Sequence, residues 1–177
     1  MDFTDCRQVI SRWEQQAVTE TDPDSQPPPP PIDGVWVREA PAIPITPISR
    51  RHELLRMSAG APPKEANTIV LPEVDLRSDL EAIRLGEAWY DRRTRRIWVR
   101  GRLYEHKPNG TLFPVRGAGF VELDRQTYKV LRVFRRYNGI DPEALHEIGL
   151  NPDVTDEQRD AAIRLWRIRE QAQRERP

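Results

Sequence analysis

The sequence predicts an α+β protein: a small antiparallel sheet in meander form, followed by three helices and preceded by a proline-rich extended arm. Twelve of the seventeen prolines fall before Val74, so regular structure is expected mainly beyond that point. Between Glu87 and Val115 apolar and polar residues alternate with the period of a strand. After Asp124 three segments show helical spacing, each opened by a capping residue.

Along the chain, Phe3, Cys6, Val9, Ile10 and Trp13 lie at helical spacing and predict one short helix over 1–17. The run TDPDSQPPPPPIDG favours a polyproline II spacer, with a ligand for a proline-recognising domain as the alternative. Pro41, Pro44 and Pro47 interrupt the next apolar stretch, which reads as an arm lying on a surface, and Ser49 to Met57 reads as one or two helical turns. The division expected is therefore a helix over 1–17, an arm over 18–67 and an α+β domain over 68–177.

Within that domain Glu87 to Tyr90, Arg96 to His106 and Thr111 to Val115 are the expected strands, with Asp91 to Arg95 and Pro108-Asn109-Gly110 as turns. Gly117-Ala118-Gly119 lacks the third glycine of a dinucleotide fingerprint and runs into the strand-like Phe120-Val121-Glu122-Leu123, so it reads as a turn and not as a phosphate cradle. Asp124 caps a helix ending at Asn138-Gly139, with Tyr128, Val130, Leu131 and Phe134 facing inward. Asp141-Pro142 opens a second helix, stopped at Gly149, and Thr155 with Gln158 forms a capping box for a third. In the third, Ala161, Leu165, Ile168 and Ala172 form the expected packing stripe, beside Arg164, Arg167, Gln171 and Arg174.

The formal charge is zero, from 28 Lys and Arg against 28 Asp and Glu, but it is unevenly placed. Tyr90 to Arg136 holds 13 Lys and Arg against 4 Asp and Glu, a net +9. Such a block suits a phosphate backbone, DNA or RNA, or an acidic protein partner. No apolar run approaches the ~20 residues of a membrane span and the start lacks a secretory pattern, so a cytoplasmic protein without membrane contact is expected. The single cysteine, Cys6, can form no internal disulfide.

In order of elements, ELDRQTYKVLRVF, DPEALHEIGL and RDAAIRLWRI following a small sheet, residues 86–169 resemble the winged helix-turn-helix effector domain of bacterial response regulators. The resemblance implies DNA binding through the third helix, with Arg164, Arg167 and Arg159 at the groove and Arg92, Arg93, Arg95 and Arg96 on phosphates. The family's C-terminal β wing has no counterpart up to Pro177.

The main expectation is thus a non-enzymatic nucleic-acid-binding or regulatory protein, with no cofactor and no metal. One catalytic alternative is a metal-independent ribonuclease-like toxin. It would need His106, with Glu105, Arg116 and Tyr128, and with Tyr104 and Lys107 nearby, to converge at the hairpin mouth. The third reading is a protein-binding adaptor of a mobile element or phage, because Arg96-Ile97-Trp98-Val99-Arg100 and Leu165-Trp166-Arg167 have the composition of interface hot spots. Trp166 falls off the main stripe of its helix, and a place in the core, the arm, or a second copy in a homodimer would each cover it.

Overall fold

In the computed structural model residues 35–61 and 66–176 are described; the expected helix over 1–17 and the polyproline run lie outside the described residues. The fold is α+β. Its strands are β1 (Trp36–Arg38), β2 (Ala66–Val70), β3 (Trp89–Asp91), β4 (Arg96–Val99), β5 (Arg102–His106), β6 (Leu112–Gly117) and β7 (Phe120–Asp124). Its helices are α1 (Leu76–Arg84), α2 (Arg125–Tyr137), α3 (Pro142–Gly149) and α4 (Asp156–Arg174).

Strands β1-β3-β4-β5-β6 form one antiparallel sheet, while β2 and β7 form a separate antiparallel pair. The stretch expected as one strand from Arg96 to His106 is two, because Arg100 and Gly101 both take positive φ, 47° and 73°, and turn the chain back on itself. In the Pro108-Asn109-Gly110 turn only Gly110 is left-handed, at 86°. The Gly110 N–H donates to Lys107 O and the Lys107 N–H to Thr111 O, both at 2.9 Å, so the hairpin closes with a glycine bulge instead of a two-residue loop. Gly117-Ala118-Gly119 turns the chain from β6 into β7, as its composition predicts.

Two apolar clusters result. One joins α2, α3, α4, β2 and β7 around Tyr128, Leu131, Phe134 and Trp166; the other lies between α1 and one face of the five-stranded sheet, around Ile83, Ile97, Val99, Tyr104 and Leu112. The segment read as a surface arm enters both: Leu54 and Met57 are fully buried in the first, Ile45 and Ile48 are buried in the second, and Trp36–Arg38 pairs as an edge strand. Prolines at 41, 44 and 47 recur every third residue, the residues after the last two, Ile45 and Ile48, are buried, and Thr46 still bonds the edge of β6 through Gly110 O and the Leu112 N–H. Helix α1, absent from the expectation, is capped by the Asp75 carboxylate, which accepts from the Ser78 N–H.

The three later helices start where the caps place them: Asp124 accepts from the Gln126 and Thr127 N–H groups, Asp141 from Ala144, and Thr155 and Gln158 complete a capping box. Left-handed Asn138, φ 55°, ends α2. On α4 the buried stripe is rotated by one residue from that expected, to Ala162, Leu165, Trp166 and Arg169, and Ile168 stays 39% exposed. Trp166 sets this rotation: its ring packs on Phe134 at 6.1 Å, and the largest apolar area on the helix wins the core.

Candidate nucleic-acid interface

Residues directly opposed in an antiparallel ladder point to the same face, and so do residues two apart on one strand. The register therefore lays two rows across the five-stranded sheet: Arg38, Trp89, Trp98, Leu103, Arg116 and Trp36, Asp91, Arg96, Glu105, Phe113. This face is opposite the one that meets α1, which bears Ile97, Val99 and Tyr104. Trp36, Trp89 and Trp98 belong to neither apolar cluster, nor does Leu103, although Leu103 is buried.

The three tryptophans are half-buried; their indole N–H groups are themselves buried, and among the described residues none has an acceptor. By contrast, Trp166 Nε1 in the helical cluster donates to Glu170 Oε1 at 2.9 Å. Buried indoles ordinarily find such a partner. The Arg38 guanidinium sits 5.1 Å from the Trp89 ring centre, placing a cation on the aromatic row.

At one end of this face the β3–β4 turn is fastened by Asp91. Its carboxylate accepts from the Arg93 N–H at 3.0 Å, the Thr94 N–H at 3.4 Å and the Thr94 hydroxyl at 2.6 Å. Burial pushes this carboxyl upward, but the hydrogen bonds from Thr94 and Arg93 outweigh it and hold its pKa below the usual range. Arg92, Arg93 and Arg95 are exposed in the turn and Arg96 is half-buried on the face. Arg92 pairs with Glu39, which leaves the turn less cationic than its sequence suggests. Elsewhere in the +9 block Arg102 turns inward to Asp79, and Arg136 pairs with Glu147 at 2.8 Å.

On α4, Arg164 and Arg167 are exposed, whereas Arg159 pairs with Asp156 at 2.5 Å. The first turns of the same helix also carry Glu157 and Asp160, both exposed.

The four residues of the ribonuclease alternative are not brought together. His106 is buried on the α1 side of the sheet with its ring 6.3 Å from Tyr90; Glu105 is on the opposite face, paired with Lys107 at 2.7 Å. Arg116 stands opposite Leu103, toward the other end of β5, and Tyr128 lies in the helical cluster with its hydroxyl donating to Arg51 O at 3.3 Å. No three His, Cys, Asp or Glu side chains gather as a metal set among the described residues, and none of their helices is long and apolar enough to cross a membrane.

Sequence reasoning found Trp98 through its arginine neighbours but missed Trp36, Trp89 and Arg38. Trp89 meets Trp98 across the short β3–β4 hairpin, whereas Trp36 and Arg38 join them through the β1–β3 pairing, which links residues more than 50 positions apart and has no local signature. Neither a family model, nor a curated protein, nor a solved structure matches this chain.

Proposed function

We propose that this is a non-enzymatic, cytoplasmic binding protein for single-stranded nucleic acid, using the outer face of the five-stranded sheet. One observation carries the reading: the half-buried Trp36, Trp89 and Trp98 share a face outside both cores, with Arg38, Arg96 and Arg116 in the same two rows. Bases stack on aromatic rings whatever their sequence, and guanidinium groups neutralise the backbone between them.

Single strands suit this face better than a duplex. A major groove admits a helix or a two-stranded ribbon, not the broad face of a five-stranded sheet. A recognition helix places its N-terminal residues nearest the bases, and on α4 those residues include Asp156, Glu157 and Asp160, which repel phosphate. The sheet is therefore favoured over the helix as the contact surface.

The test is fluorescence anisotropy of a labelled oligonucleotide, single-stranded or annealed to its complement, titrated with full-length protein. Tighter binding of the single strand, weakened by salt, is expected. Equal or tighter binding of the duplex would reject the sheet face, and intact protein that binds neither at low salt would reject the nucleic-acid reading.

A further inference from the structure

A second charged feature lies on the helical side, away from the sheet. Arg169 is 3% exposed, yet it makes no ion pair with any described carboxylate within 4.0 Å. Its Nη1 donates to Gln173 Oε1 at 3.0 Å and its guanidinium lies 4.5 Å from the Trp166 ring centre, while Nε is buried without an acceptor. Buried guanidinium groups are ordinarily paired, because an uncompensated charge removed from water is costly. Burial, and then repulsion from Arg135, lower the pKa of Arg169, while the negative charge of Glu170 offsets this only in part.

This residue lines a cleft of about 410 Å³ together with Asn138, Trp166, Glu170, Gln173 and Arg174. The carbonyl ends of α2 and α4 border it, which accounts for cations gathering there, but neither end supplies Arg169 Nε with an acceptor. Glu170, the one carboxylate in the lining, receives the Trp166 indole N–H. The cleft thus offers two guanidinium groups and two side-chain amides and has room for more than a bare ion.

We infer that this cleft is a binding site for a phosphomonoester, with Arg169 as its buried anchor and Arg174, Asn138 and Gln173 at its rim. A dianion compensates Arg169 and Arg174 together, and the planar fork of arginine matches phosphate oxygens. The inference does not depend on the sheet face. A free phosphorylated small molecule and the 5′-phosphate of an oligonucleotide would supply the same group.

The experiment is thermal unfolding of the full-length protein in sodium phosphate against sodium chloride at matched ionic strength. A parallel arm uses one oligonucleotide carrying either a 5′-phosphate or a 5′-hydroxyl. With phosphate at about five times its Kd, Tm should rise by about 2–4 °C above the chloride value. Arg169→Met should abolish the rise while unfolding no earlier than wild type in chloride, since it removes a buried charge without an ion pair and keeps the volume. Should that variant fail to fold, Arg174→Ala at an exposed position should reduce the rise at least about threefold. Response to inorganic phosphate identifies a free ligand and excess response to the 5′-phosphate a strand end; either supports the site. No excess response in either arm, to inorganic phosphate over chloride or to the 5′-phosphate over the 5′-hydroxyl, or a response kept in both variants, would overturn it.

Discussion

Trp89 stands directly across from Trp98 in the β3–β4 ladder, and neither ring enters an apolar core. Opposed residues lie about 5 Å apart, and Trp36 follows on the diagonal position of β1. Trp98 in turn stands opposite the buried Leu103, so the three indoles and Leu103 form one apolar patch on the face turned away from α1.

If Arg116 neutralises a phosphate, Arg116→Ala should flatten the dependence of log K on log salt by about 0.7, the increment for one contact on a single strand. Arg102→Ala, whose guanidinium is committed to Asp79, should leave that slope unchanged where the variant folds. Anisotropy titrations between 50 and 200 mM salt measure both.

Asp79 joins α1 to the sheet. Its carboxylate accepts from Arg102 at 2.6 and 2.7 Å and from the Tyr104 hydroxyl at 2.5 Å, and the residue is 1% exposed. Burial, reinforced by the negative charge of Asp79, drives the Tyr104 pKa far above its ordinary value. Asp79→Ala strands a buried cation and should cost about 3–5 kcal/mol, against about 1–2 kcal/mol for Tyr104→Phe, measured by urea unfolding.

His106 is buried, with neither ring nitrogen partnered among the described residues; burial, and then Arg95, hold its pKa below the ordinary value. The unfolded chain therefore takes up the proton first as pH falls. Stability should be complete above the unfolded pKa of about 6.5 and should decline below it, by at most about 1.36 kcal/mol per pH unit, until the folded imidazole also titrates. His106→Leu should remove this component when urea unfolding is compared at pH 7.5 and 5.5.

Gly117 and Gly101 are both left-handed, yet they should respond differently to alanine. A Cβ on Gly117 would lie 2.5 Å from Gly101 O and 2.6 Å from Arg102 Cα, whereas one on Gly101 meets nothing within 4 Å. Gly101→Ala should cost about 1–2 kcal/mol, the left-handed penalty alone, and Gly117→Ala clearly more because β5 and β6 would have to part. Urea unfolding of the two variants checks the order.

Where structure is set by local chemistry, the sequence was sufficient. Asp124, Asp141 and Thr155 each cap the expected helix, and Asn138 ends α2, because capping needs only groups a few residues away. The Arg100-Gly101 turn was hidden because the alternation continues across it, and α1 because its short apolar pattern, Leu76, Leu80 and Ile83, follows closely on the apolar end of β2 and Leu71-Pro72. The pairing of β2 with β7 and the burial of Leu54 and Met57 are contacts between distant residues, which periodicity cannot reveal. The same holds for the tryptophan row: Trp98 was visible, but the face it shares with Trp36 and Trp89 exists only once the strands have paired.

The most direct test of the sheet face is single-strand anisotropy with Trp89→Ala plus Trp98→Ala, beside Arg164→Ala plus Arg167→Ala, each variant first shown by urea unfolding to be folded. The expected result is a loss of at least about tenfold in affinity for the tryptophan pair, from lost base stacking, with the helix pair within about twofold of wild type. Unchanged binding by the folded tryptophan variant, with loss in the helix variant, would contradict the account and move the interface to α4.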